Sequence, residues 1–162
     1  MSTTFEAIYE PFFYKIENDK DFFVYYNITS DEALTLAKQR AKSLLIEAVT
    51  ELVFNCNPDI DFTNYDKTTE TFFETLTNNE INLLVQLMFE KYLERDIAKL
   101  KAFKVRFTPS DLNMFSPANE RTSFINMYNQ VQYQSNVMIS NYASRDRLTG
   151  ADKIIDYSAY EY

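Results

Sequence analysis

Histidine and tryptophan are missing from this 162-residue chain, and glycine and cysteine occur once each, at Gly150 and Cys56. Without imidazole the usual general base near neutral pH and the commonest metal ligand are gone, which excludes most nucleophile triads, zinc sites and proton shuttles. One glycine cannot supply a P-loop or a dinucleotide fingerprint, since both need several positions where bare backbone closes on a phosphate. One cysteine cannot form an intramolecular disulfide, so a disulfide scaffold is excluded and a reducing compartment or redox indifference is favoured. No stretch approaches the roughly 20 apolar residues that span a bilayer. The opening MSTTFEAIYEPFF lacks a basic leader followed by an apolar run. The expectation is a soluble protein without a membrane partner.

The chain is nevertheless 46% hydrophobic and 16% aromatic, enough for one domain to bury a core without staples. A net charge of −8 argues against nonspecific adhesion to nucleic acid or to anionic lipid. The charge is uneven: residues 56–80 carry six acids and one lysine, and residues 81–107 carry six bases and three acids. Lys99, Lys101, Lys104 and Arg106 fall near the end of an expected helix, where cations complement the dipole. With Phe103 and Phe107 they could also be read as a nucleic-acid rim, but their spacing scatters them around the helix, which leaves at most a passing contact with packaged DNA.

Along the chain, nine of the 26 aromatic residues fall between Phe5 and Tyr26. Residues 12–16 and 22–28 flank the polar run 17–21, a pattern that predicts an N-terminal aromatic β-hairpin over 1–28, packed on helices or on another subunit. A capping sequence, Thr29 to Glu32, opens a predicted helix from about residue 30 to 54, with Leu34, Ala37, Ala41, Leu44, Leu45, Ala48, Leu52 and Val53 on one stripe. A loop follows to about residue 65, and a short helical piece is predicted over 69–76. Thr77 and Glu80 repeat the capping pattern at the start of a second long helix, about 78–104, with a broad apolar face from Ile81 to Phe103. Thr108 begins a short turn of helix. Pro117 stands at the first position of a third helix, about 117–144, with Phe124, Tyr128, Val131, Met138 and Tyr142 on one side and an amide-rich face (Asn126, Asn129, Gln130, Gln132, Gln134, Asn136) on the other. The predicted fold class is mainly α, three long amphipathic helices bundled over 29–144. The stretch 145–162 has no helical stripe. It reads as an extended arm lying on its own domain, as one docking on a neighbouring subunit, or as disorder.

Few constellations carry chemistry. Asp59, Asp61, Thr63 and Glu70 occupy positions 1, 3, 5 and 12 of a calcium-loop pattern, but Asn64 replaces the turn glycine and Asp66 the usual apolar residue, so a solvated acidic loop is the better reading. Asp59, Asp61, Asp66, Glu70 and Glu74 are paired carboxylates only in sequence, with nothing to split their pKa values. Cys56 lacks an imidazole to activate it and reads as a small apolar residue beside a helix end. No catalysis, cofactor or metal is expected.

The aromatic N-terminal segment, three helices with capped starts and a tyrosine-bearing tail after Arg145-Asp146-Arg147-Leu148-Thr149-Gly150 together resemble the small virion proteins of tailed bacteriophages, especially head–tail connector or adaptor subunits, over residues 29–162. The resemblance implies a structural virion protein assembled in the host cytoplasm, a homo-oligomeric closed ring of about twelve copies beneath the portal. Its helical bundle would form the ring wall, and its C-terminal arm would dock on the portal, with other neck or tail proteins as further partners. Arg145, Arg147, Leu148, Ile154, Ile155, Tyr157, Tyr160 and Tyr162 are the partner-binding residues so implied. The aromatic N-terminus is a departure from the simplest adaptors. The alternative reading is a small intracellular helical interaction or regulatory module using the same aromatic surface.

Overall fold

The computed structural model of the chain describes residues 2–23, 25, 27–106 and 118–153, with the side chains of residues 20, 21, 100–106 and 118–120 left out. It is mainly helical: α1 (Glu6–Lys15), α2 (Lys20–Phe23), α3 (Ser30–Asn55), α4 (Asn78–Arg106) and α5 (Ala118–Ser144). A small antiparallel sheet, order β1-β3-β2, joins β1 (Thr3–Thr4), β2 (Tyr65–Asp66) and β3 (Thr71–Phe72).

The helix at the centre is α4, which packs against α1, α3 and α5. From Glu80 to Leu93 it is buried on nearly every side, with Leu83, Leu84, Val85, Leu87 and Met88 closing the core around it. That burial explains how a helix with three buried polar residues, Glu80, Gln86 and Glu90, can still be the innermost one. Each Leu removed from water contributes roughly 2 kcal/mol, and α4 presents such residues to three neighbours at once. The facing stripe of α3 is Ala37, Ala41, Leu44, Leu45, Ala48, Val49 and Leu52. Its alanines let the α4 backbone come close. Leu34 and Val53, expected on that stripe, are exposed at its two ends. Among the described residues of α5, Val131, Ser135 and Ile139 are the buried ones, with Phe124, Tyr128, Met138 and Tyr142 half-buried beside them.

The N-terminal segment departs from expectation. No hairpin forms, because residues 12–15 belong to α1 and residues 22–23 to α2. Phe5, Ile8, Tyr9, Phe12 and Ile16 recur at helical steps and are all buried, so one helix turned against α4 hides what two unsupported strands would leave in water. Pro11 lies inside α1 and has no N–H to give, a local loss outweighed by this burial. Phe22 of α2 closes the cluster, edge-on to Phe12 at 5.9 Å and to Tyr92 of α4 at 5.7 Å, with the Arg40 guanidinium 4.6 Å from its centroid.

The expected helical piece over 69–76 is a strand instead. Thr71 and Phe72 pair with Thr4 and Thr3 on one side and with Asp66 and Tyr65 on the other. Phe72 points into the core and Phe73 outward, the alternation of a pleated segment. Glu70, at φ 53°, turns the chain before this strand, and its carbonyl accepts from the Phe5 N–H at 2.8 Å. The turn expected at Thr108 and the proline at 117 lie outside the described residues.

Candidate functional site

The residues proposed for partner contact begin where α5 ends. Residues 145–153 form a closed loop, not an extended arm. Arg145 bridges to Asp152, the Asp146 N–H donates to the Ala151 carbonyl at 2.8 Å, and the Lys153 N–H returns to the Ser144 carbonyl at 2.8 Å. Gly150 makes the turn with φ +69°; among the described residues no atom approaches the place a Cβ would take, so the requirement there is conformational. The Asp146 carboxylate accepts from the Thr149 N–H, the Thr149 hydroxyl and the Leu148 N–H, which hold its pKa below the usual carboxylate range. Leu148, at the tip, is 75% exposed.

Arg147 fastens this loop to the start of α4. Its guanidinium donates to both carboxylate oxygens of Glu80 at 2.7 and 2.8 Å and to the Thr75 carbonyl at 2.8 Å. Glu80 has no exposed surface. Burial alone would raise its pKa, but the Arg147 contacts, the Thr77 N–H at 2.7 Å and the Tyr142 hydroxyl at 3.0 Å together hold it below the usual range. Tyr142 is pushed the other way, by burial first and then by the charge of Glu80. Two further links tie the loop to the rest: Lys153 to Asp59 at 2.7 Å and Arg145 to Asp152 at 3.3 Å. Beside the loop lies a shallow hollow of about 280 Å³ lined by Thr77, Asn82, Asn141 and Arg145. Arg145, Arg147 and Leu148 are thus brought to one end of the molecule, with Arg147 occupied within the chain and Leu148 free to be touched. Ile154, Ile155, Tyr157, Tyr160 and Tyr162 lie outside the described residues.

Four acids of the loop after α3 are spent individually. Asp61 accepts from the Thr63 N–H at 2.9 Å, Asp66 from the Thr68 N–H at 2.7 Å, Glu70 from Lys42 at 2.7 Å, and Asp59 pairs with Lys153 as above. Hydrogen bonds from Thr63 and from Thr68 and Thr69 hold Asp61 and Asp66 below the usual range. Among the described residues no three histidine, cysteine, aspartate or glutamate side chains gather as metal ligands. The Cys56 thiol donates to the Leu52 carbonyl at 3.3 Å, and burial pushes its pKa up, away from the reactive thiolate. Of the basic helix end, Lys99 is exposed and paired with Asp96 at 2.8 Å; the side chains of Lys101, Phe103, Lys104 and Arg106, and all of Phe107, lie outside the described residues.

Sequence reasoning missed Glu80 as the anchor of the site. The sequence marks this residue as a helix cap, and its second role depends on Arg147, 67 positions away, which no local pattern reveals. Among the described residues no helix is long and apolar enough to cross a membrane. Set against protein-family models, characterised proteins and solved structures, the chain matches none.

Proposed function

We propose that this chain is a non-enzymatic structural subunit that works by fitting against other polypeptides, of the head–tail connector kind found in tailed bacteriophage virions. The observation that carries the reading is the Arg147–Glu80 anchor. It holds a closed loop against the start of the central helix, leaves Leu148 outward at the tip, and so fixes the position of Lys153, from which the sequence continues. A docking arm needs such a root, since an arm hung from a loose linker loses more entropy when it binds. In this reading α3, α4 and α5 form the bundle of a ring wall, with the segment from Arg145 onward as the element that meets the portal. Asp59, Asp61, Asp66, Glu70 and Glu80 are engaged by lysine, threonine or arginine side chains, which supports a structural use of these acids, and the role assigned to the molecule is one of contact.

The test is truncation after Lys153, which leaves every described contact of the loop in place. The shortened protein is expected to keep its helical circular dichroism and melting temperature and to lose co-sedimentation with portal rings from the same virion; Leu148→Asp is expected to weaken that binding in the full chain. Unchanged portal binding by the truncated chain would remove the arm from the mechanism.

A further inference from the structure

Eight described lysines and arginines are each paired with a carboxylate. Lys15 is held differently. It is the last residue of α1, with its side chain reachable from solvent and its amine turned inward. The amine donates to the side-chain oxygen of Gln86 and stands 4.9 Å from the centroid of the Phe89 ring. Gln86 is itself buried, and its amide N–H donates to the Val131 carbonyl at 3.4 Å, so α5 fixes the acceptor from behind. The described partners of this amine are thus an amide and a ring, both neutral.

The contrast with Lys91 shows what that does. Burial lowers the Lys91 pKa, but its contacts with Glu94 and Glu51 carry it above the ordinary lysine value. At Lys15 burial lowers the pKa, and among the described residues no carboxylate contact raises it again. A larger share of its amine is therefore neutral near pH 7, the form whose lone pair is nucleophilic.

Two hollows meet at this amine. One, of about 260 Å³, has Phe89 and Tyr92 of α4 and Phe124 and Met127 of α5 in its lining, together with Asp19 and Asp96. The other, of about 600 Å³, is lined by Tyr14, Glu17, Asn82 and Gln86 among others. Asp96 is paired with Lys99 at 2.8 Å.

We propose that Lys15 is an imine-forming site and that its electrophile is an uncharged aromatic aldehyde whose ring seats against Phe89, Tyr92 and Phe124. The aromatic lining selects a ring, since offset and edge-on contacts add to the area it buries. The charges select a neutral one. Asp19, Asp96 and Glu17 border the hollows in a protein of net charge −8, so an anionic aldehyde meets repulsion that one unpaired lysine does not offset. In the reaction the amine nitrogen bonds to the carbonyl carbon, and the two amine protons leave with the carbonyl oxygen as water. A C=N bond remains, with no change in oxidation state. The site lies apart from the loop at Arg147 and does not depend on the connector reading.

The experiment treats the full-length protein near pH 7 with benzaldehyde and sodium cyanoborohydride, whose hydride converts each imine to a stable benzylamine. Peptide mass spectrometry then reads the adduct at every lysine, with the N-terminal amine scored separately because its pKa is low in any chain. Lys15 is expected to be labelled about tenfold more than the exposed Lys99, and the preference should vanish in urea that unfolds the chain. Acetaldehyde, which has no ring, and 4-carboxybenzaldehyde, which carries a charge, should each show a preference for Lys15 several-fold smaller. Native labelling of Lys15 no greater than that of Lys99 overturns the site. So does a preference that survives unfolding, since the hollow would then have no part in it. Equal preference with acetaldehyde or with 4-carboxybenzaldehyde overturns the assignment of an uncharged aromatic electrophile.

Discussion

Two helices of this protein begin with the same four-residue grammar, threonine followed three positions later by glutamate, and the two starts have different surroundings. At α3 the Thr29 hydroxyl accepts from the Glu32 N–H and the Glu32 carboxylate accepts from the Thr29 N–H, both in solvent. At α4 the same reciprocal pair forms between Thr77 and Glu80, but there the carboxylate is fully buried and also holds Arg147 and Tyr142. Local sequence sets the capping geometry in both cases, and tertiary context decides whether the cap is a detail or a keystone. The lower pKa of Glu32 comes from Thr29 alone, whereas at Glu80 burial is overcome by a guanidinium from the far end of the described chain first, and by Thr77 and Tyr142 beside it.

The largest expected break in this comparison is Arg147→Ala, which leaves the buried Glu80 carboxylate without its cation. A loss of about 3 kcal/mol in urea unfolding is expected, against almost none for removing the exposed pair Arg145–Asp152. Next comes acid. The folded carboxyl of Glu80 titrates below its ordinary value, so its stabilisation is complete above the ordinary carboxylate range and fades as the pH falls through the folded value. Unfolding measured from about pH 6 down to pH 3 should show wild type losing stability more steeply than Arg147→Ala, in which that depression is gone. Parallel curves would separate Glu80 from the acid sensitivity. Thr29→Ala, at the exposed cap, is expected to cost about 1 kcal/mol and to flatten the acid limb only slightly, since the Thr29 N–H still holds the Glu32 carboxylate. Tyr142→Phe removes one of the four donors to Glu80 and should cost about 1 kcal/mol, and because Tyr142 and Arg147 share that carboxylate the two losses should not add in the double variant. The smallest change is expected at Tyr9, whose buried hydroxyl has no hydrogen-bond partner among the described residues; Tyr9→Phe should be neutral or gain up to about 1 kcal/mol.

The three long helices were legible because caps and apolar steps agree there. The Thr29 and Thr77 caps sit where expected, and α3 runs one residue beyond its predicted end. The hairpin reading of the N-terminal segment fails because phenylalanine and tyrosine favour strands locally and the polar run 17–21 looks like a turn, while the helical spacing of Phe5, Ile8, Tyr9, Phe12 and Ile16 lies underneath. Burial against α4 decided between them. The strand at Thr71 and Phe72 has no alternation visible in the sequence, and its partners, Thr3–Thr4 and Tyr65–Asp66, come from two separate places in the chain. At the candidate site Leu148 and Gly150 were visible as parts of a distinct tail. The anchoring of Arg147 was not, since a buried ion pair spanning 67 positions leaves no periodic trace.

The order in which the ribosome releases this chain gives the small sheet a further meaning. Thr3 and Thr4 cannot pair until Thr71 and Phe72 have been made, and the rings of α1 find their main support, α4, later still. During synthesis the first quarter of the polypeptide therefore waits with Phe5, Tyr9 and Phe12 uncovered, a window in which holdase chaperones should bind nascent chains and release them once α4 has left the exit tunnel.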